Sequence, residues 1–297
     1  MEEDRYISVS RRCQLHYRID KHATTQAAVV LLHGLSSNLT RWTEFLQHTS
    51  LKQDWTTLRM DLRGHGESRY RGKLTTAMMT NDLRKIVEAE NIQQLVIVGH
   101  SLGARIAAEY AVQHPDTCLG TILIDPVVPE ALQGKGLKFY RARWLMKAVA
   151  ILIRGINAIG FRRRHIPMRD LFELDEKTRV LLASQSHESI AQQYMSPRID
   201  LEFNPLVIYL QDLIETLSIF PETLKSQIPT YVLLSSGGSI SDVILLEKYF
   251  SRGSNISIEH LEADHWPLTE KPTQTREVIE KAVSAIQKKN SLRVKVA

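Results

Sequence analysis

Residues 95–111 read LVIVGHSLGARIAAEYA. The apolar run LVIV has the length and branching of a buried strand, and it halts at Gly99. The segment LGARIAAEYAVQH (102–114) has the small-residue pattern of a packed helix and is stopped by Pro115. Between strand and helix stands Ser101, in Gly99-His100-Ser101-Leu102-Gly103, which fits G-x-S-x-G. On a sharp strand-to-helix turn the small flanking residues permit close packing around a strained serine. The hydroxyl then projects from the carboxyl edge of the sheet, beside helix N–H groups that favour developing negative charge. Helix capping alone would account for Ser101 but leaves both glycines unexplained.

Outward from this corner, strand-like and helix-like segments alternate, the pattern of a mostly parallel sheet covered by helices. YISVS and CQLHYRI read as an opening antiparallel pair. AAVVLLHG (27–34), WTTLRMDLRG (55–64), QLVIVGH (94–100) and LGTILIDP (119–126) read as strands. Residues 74–91 have helical periodicity, with Thr76 as the expected N-cap. PTYVLLSSGG (229–238) and NISIEHLE (255–262) resume the strands, with helices over 242–250 and 269–289. The interval 127–222 breaks the alternation: it reads as helical and carries Pro129, Pro167, Pro197, Pro205 and Pro221. The organisation is therefore a core over 1–126 and 223–297, interrupted by a helical cap over 127–222.

A chain of 297 residues, 43% hydrophobic and 24% charged, buries a substantial core without disulfide staples. Its two cysteines, Cys13 and Cys118, lack C-x-x-C spacing and suggest neither a disulfide framework nor a metal site. No secretory h-region and no long apolar span are evident, which fits a cytoplasmic protein. The net charge of +5 is unevenly spread: residues 135–165 hold nine lysines and arginines and no acid. That bias suits a solvated face, or a peripheral contact with an anionic membrane through the basic cap. No nucleic-acid recognition motif accompanies it.

A serine hydroxyl needs a base, and the base an orienting carboxylate. Among 11 histidines, His265 is best placed, on the turn EADHWPL after the last strand and at the sheet edge shared with Ser101. Asp242, beyond Gly237-Gly238, is the leading acid in the expected order serine, acid, histidine, although an Asp there would also cap the helix 242–250. Asp125, at the end of the strand before the cap, is the alternative. The oxyanion needs two N–H donors: Leu102, after the nucleophile, and Leu35, in the turn that His33 and Gly34 begin. Gly34, Gly99, His100 and Gly103 are read as supporting these loops.

HG at 33–34, DLRGHGES at 61–68, GHSLG at 99–103, an acid loop at Asp242 and DHWPLTEKP at 264–272 together resemble the α/β-hydrolase fold superfamily. The resemblance implies an eight-stranded, mostly parallel sheet flanked by helices, a Ser-Asp-His triad and a cap after the sixth strand. It also implies that Asp61, Arg63 and His65 brace loops near the site. The spacing departs from the family pattern at the acid, where Ser239, Ile240 and Ser241 separate Gly238 from Asp242, so Asp125 stays a rival. A serine at the elbow argues against epoxide hydrolases and haloalkane dehalogenases, which carry aspartate there.

The expected activity is esterase- or lipase-like hydrolysis of a carboxylic ester with an apolar acyl group through an acyl-enzyme, with neither metal nor organic cofactor. Thioester or C–C hydrolysis by the same triad is the enzymatic alternative, and a non-catalytic ligand-binding relic is the other. Phe139, Tyr140, Trp144, Leu145, Met146, Ile151, Leu152, Ile153, Ile156 and Ile159 make an apolar acyl pocket plausible. At helical spacing, Leu145, Val149, Leu152 and Ile156 form a stripe expected to pack on the cap or core.

Overall fold

Strand residues at alternate positions face opposite sides of a sheet, and here both sides are apolar. The computed structural model describes residues 2–22, 24–182, 196–237 and 240–296. Its strands are β1 (Glu3–Ser10), β2 (Cys13–Asp20), β3 (Ala27–Leu32), β4 (Thr56–Met60), β5 (Gln94–His100), β6 (Cys118–Ile124), β7 (Thr230–Ser235) and β8 (Ile256–Leu261). They form one eight-stranded sheet in the order β1-β2-β4-β3-β5-β6-β7-β8. β1 and β2 pair antiparallel, β2 meets β4 antiparallel, and every later pairing is parallel.

Val30, Leu32, Leu95 and Ile97 pack on one face with Met79, Leu83, Ile106 and Tyr110 of the helices Thr76–Ala89 and Leu102–Gln113. Val29, Leu31, Val96 and Val98 pack on the other with Trp42, Phe45, Ile279 and Val283. A one-residue slip in β3 or β5 would exchange the two sets, so helices on both sides hold the register. Thr75, not Thr76, caps the helix Thr76–Ala89, its hydroxyl accepting from the Met78 N–H. Thr76 instead donates to Glu215 through both its N–H and its hydroxyl. Cys13 and Cys118 are unpaired, buried thiols.

Between β6 and β7 the described chain is helical, with Gly134–Arg141, Arg143–Ala158, Leu171–Leu182, Pro197–Phe203 and Leu206–Thr216. Residues 183–195 of the expected cap lie outside the described residues. Polar links fasten this segment to the core. Arg41, from the loop after β3, pairs with Asp175 and donates to Thr269 Oγ1 at 2.6 Å. Asn38 donates to the Arg169 carbonyl at 2.7 Å, and Gln211 accepts from the Leu74 N–H at 3.0 Å.

The stripe on Arg143–Ala158 departs from expectation. Leu145, Val149, Leu152 and Ile156 face solvent, while Met146 and Ala150 are the buried positions of that helix. The helix turns that opposite side to Leu206–Thr216, forming a small cap core of Met146, Ile214 and Leu217 with Val127 and Leu132.

Candidate active site

In a parallel sheet the strand carboxyl ends share one edge, and loops from neighbouring strands meet there. Four such loops converge: after β3 (Leu35), after β5 (Ser101), after β6 (Asp125) and after β8 (His265). Ser101 has φ +52° and ψ −109°, a strained geometry for a residue with a side chain. Its N–H donates to the Ile124 carbonyl at 2.9 Å, tying the corner to β6. The glycines make that corner sterically feasible. A Cβ on Gly99 would stand 2.2 Å from the Gly103 carbonyl oxygen, and one on Gly103 would stand 2.4 Å from that of Leu32. Leu102 opens the helix, so its N–H has no acceptor in a preceding turn. Gly34 lies so near the corner that a Cβ on it would be 3.0 Å from His100 Nδ1, which brings Leu35 alongside.

His33 is locked rather than free: its Nδ1 donates to the Gly34 carbonyl at 2.8 Å and its Nε2 accepts from the Leu62 N–H at 3.0 Å. Asp61 accepts from the N–H groups of Leu39 and Glu67 and bonds His16, while Arg63 pairs with the buried Asp82. Asp61 and Arg63 hold loops, as the resemblance implied for them.

The two acid candidates separate cleanly. Asp242 caps the helix Val243–Phe250, its Oδ1 accepting from the Leu245 N–H at 3.1 Å. Asp125 instead faces the histidine, with His265 Nδ1 3.8 Å from Asp125 Oδ2. The carboxylate is held by Ser235, which donates its N–H to Oδ1 and its hydroxyl to Oδ2, both at 2.7 Å. The expectation that Asp242 stands behind His265 is therefore corrected. An aspartate one residue before a helix captures the free N–H groups of the first turn, and the helix keeps it. Of the expected Gly237-Gly238 turn, Gly238 lies outside the described residues.

Burial sets the electrostatics. It pushes Asp125 up to about 7 against the opposing hydrogen bonds from Ser235. It pushes His265 down to about 4, so the imidazole is neutral at neutral pH. His100 also lies well below its ordinary range, through burial first and the neighbouring His265 second. His100 Nε2 donates to the His265 carbonyl at 2.8 Å, with the two rings 5.0 Å apart. The residue beside the serine thus fixes the backbone of the histidine, a link that the motif alone does not reveal.

Donor atoms of His100, Asp125 and His265 lie within 4.8 Å of one another, close enough for a metal set. Their hydrogen bonds describe another arrangement. Both Asp125 oxygens are engaged by Ser235, and His100 already spends its Nε2 on a carbonyl. These contacts brace the loops that carry Asp125 and the His265 imidazole.

A cavity of about 340 Å³ opens over Ser101 and His265. Leu35, Val127, Phe139, Leu213, Leu217 and Trp266 supply apolar lining, and Lys135, Asp200, Tyr209 and Thr216 add polar groups. Of the ten apolar residues expected to form an acyl pocket, Phe139 lines it; Trp144, Leu145, Ile151, Leu152, Ile156 and Ile159 face solvent. Leu213 and Leu217 come from the end of the cap, where helical periodicity reads as ordinary core packing. Asp200 is buried there and its carboxyl is pushed up to about 7, burial outweighing Arg169.

The alpha/beta hydrolase fold model matches residues 27–178. The chain belongs to that family. An uncharacterized protein of Mycobacterium tuberculosis is 36% identical over 98 residues, 33% of this chain and 28% of that protein. The sn-1-specific diacylglycerol lipase ABHD11 of Mus musculus is 28% identical over 115 residues, 39% of this chain and 38% of that one. The chain thus aligns with well under half the length of these curated relatives. A carboxylesterase structure from the thaumarchaeon Nitrososphaera gargenis covers 96% of this hydrolase-fold chain and all of its own, at 20% identity and a TM-score of 0.66. That likeness establishes the shared fold. No helix among the described residues is long and apolar enough to cross a membrane.

Proposed function

We propose that the protein is a serine hydrolase of carboxylic esters with an apolar acyl group. The observation that carries this reading is the common cavity of Ser101 and His265, with Asp125 at the far side of the imidazole. Because Nδ1 faces the carboxylate, Nε2 is the nitrogen left for the serine. His265 takes the Ser101 proton as the hydroxyl oxygen attacks the ester carbonyl. Asp125 holds the ring and stabilises the cation that forms. The N–H groups of Leu35 and Leu102 receive the negative charge on the carbonyl oxygen. His265 then protonates the departing alcohol, and water, activated by the same imidazole, releases the acid and restores Ser101.

Burial supports this assignment of roles. A histidine kept neutral at pH 7 is ready to accept a proton, and the dry surroundings strengthen each hydrogen bond to developing charge. The apolar lining favours an acyl chain over a charged group. Turnover of p-nitrophenyl esters by the wild-type protein and by Ser101→Ala tests the proposal, with acyl thioesters as a second arm. The expected loss in kcat/KM is at least about 10³-fold. Undiminished turnover by Ser101→Ala would remove the serine mechanism, and a preference for thioesters would redefine the substrate class.

A further inference from the structure

The helix Arg143–Ala158 leaves its most apolar side uncovered. On an ideal helix Ile151, Trp144, Leu152, Leu145, Ile156 and Val149 share one uncharged arc of roughly 160°. Trp144, Leu145 and Leu152 are 67%, 68% and 64% exposed. Ile159 and Phe161 continue the apolar surface beyond the helix end and are exposed as well. Exposed apolar residues grouped on one side of a helix, with polar groups at the rim, mark an interaction site.

One edge of the arc is cationic. Lys147 and Arg154 flank it, with Lys147 Nζ 4.9 Å from the Trp144 ring centroid. Beside Arg154 lies an open groove of about 990 Å³, lined by Arg12, Arg69, Arg71, Arg154, Arg162 and Arg164. Among the described residues none of these six arginines has a carboxylate partner. Burial and the neighbouring Arg162, Arg163 and Arg69 lower the Arg71 guanidinium from its ordinary range, a sign that the cluster lacks a counter-charge.

We infer that this face of the cap docks on an anionic phospholipid bilayer, the apolar arc entering the acyl boundary and the arginine groove holding headgroup phosphates. The pairing of an uncharged arc with a cationic margin is the pattern of a helix lying in a membrane interface. A second copy of the chain would set six arginines against like charge, and a soluble polyanion would leave the apolar arc in water. The preceding helix, Gly134–Arg141, contributes Lys135, Gly136 and Phe139 to the Ser101 cavity. The docking face and the cavity wall are thus consecutive in the chain. The inference does not depend on Ser101 chemistry.

Flotation with vesicles of phosphatidylcholine alone, and of phosphatidylcholine with phosphatidylserine, tests it. The wild-type protein is expected to bind the anionic vesicles at least about tenfold better and to lose that binding as salt rises. Leu145→Glu with Leu152→Glu, and separately Arg154→Glu with Arg162→Glu and Arg164→Glu, should each reduce binding by about tenfold or more while keeping the wild-type unfolding midpoint. Ser101→Ala should bind as wild type, which separates this test from the hydrolase reading. Equal partition to neutral and anionic vesicles by the wild-type protein would overturn the inference, and needs no variant. So would wild-type binding by either folded variant. Binding of inorganic phosphate in the groove without vesicle association would assign it to a soluble anion. A concentration-dependent dimer lost in the leucine variant would assign the arc to a second copy.

Discussion

At the scale of single residues, the decisive choice lies between two aspartates that a chain-order argument cannot separate. Both follow Ser101 and precede His265. Asp242 serves the N–H of Leu245, whereas Asp125 sits at the end of β6 with Ser235 gripping both its oxygens and His265 beside it. Asp125→Asn is therefore expected to lower kcat/KM by about 10⁴-fold, because the imidazole loses its orienting anion. Asp242→Ala should leave kcat/KM nearly unchanged and cost about 1 kcal/mol as a lost helix cap, read from urea unfolding. The pH profile carries a second expectation. In the proposed mechanism the active form has His265 neutral and Asp125 ionised, with burial placing them at about 4 and about 7. Protonating either group removes that form, so kcat/KM rises with pH and levels off above about 7. A profile flat from about pH 5 to about pH 8 would contradict the roles given to the pair. That Ser101 and His265 meet at one sheet edge was legible because each stands at a strand end with a local signature. Asp125 was legible only as an alternative, since its partner Ser235 is 110 residues away in sequence. The contact arises from the β6–β7 pairing, which no local pattern announces.

At the scale of elements, the strand-to-helix corner and the cap fastenings do different work. The corner is shaped by backbone proximity, so Gly99→Ala, with its Cβ 2.2 Å from the Gly103 oxygen, should destabilise by more than about 3 kcal/mol or prevent folding. The cap is fastened partly by charge. Arg41 and Asp175 are 7% and 4% exposed in their side chains, and Thr269 donates to Asp175 at 3.1 Å. Arg41→Ala would leave the Asp175 carboxylate buried without that guanidinium, at a cost of about 3 kcal/mol in urea unfolding. An effect below about 1 kcal/mol would show that water reaches the pair. Element type and order were largely readable, because buried parallel strands give continuous apolar runs ending in glycine. The exposed side of Arg143–Ala158 was not readable. Periodicity identifies an apolar side but says nothing of what covers it, and here Met146 and Ala150 take the buried positions.

At the scale of the whole molecule, the sheet order brings loops from four strands to one edge, and the cap roofs them with an apolar lining. Three segments far apart in sequence, around 35, 213–217 and 266, meet over Ser101. On the proposed reading, acyl selectivity is thus a property of the assembled molecule. Each added methylene that enters the cavity should raise kcat/KM by roughly fourfold, from about 0.8 kcal/mol of apolar transfer, until the cavity is filled. A panel from acetyl to long-chain p-nitrophenyl esters reads that slope, and a monotonic preference for acetyl would contradict an apolar acyl site. The architecture was legible in the sequence because its motifs fall at strand ends in the right order; the lining was not, because it is built from the far end of the cap. The most direct test of the central claim is the rate at which a fluorophosphonate probe modifies Ser101, followed by intact mass and peptide mapping. The account predicts one adduct on Ser101, formed rapidly by the wild-type protein and by Asp242→Ala, and slowed by orders of magnitude in Asp125→Asn. Absence of an adduct on Ser101 in the folded wild-type protein, or rapid labelling of Asp125→Asn with loss in Asp242→Ala, would contradict it.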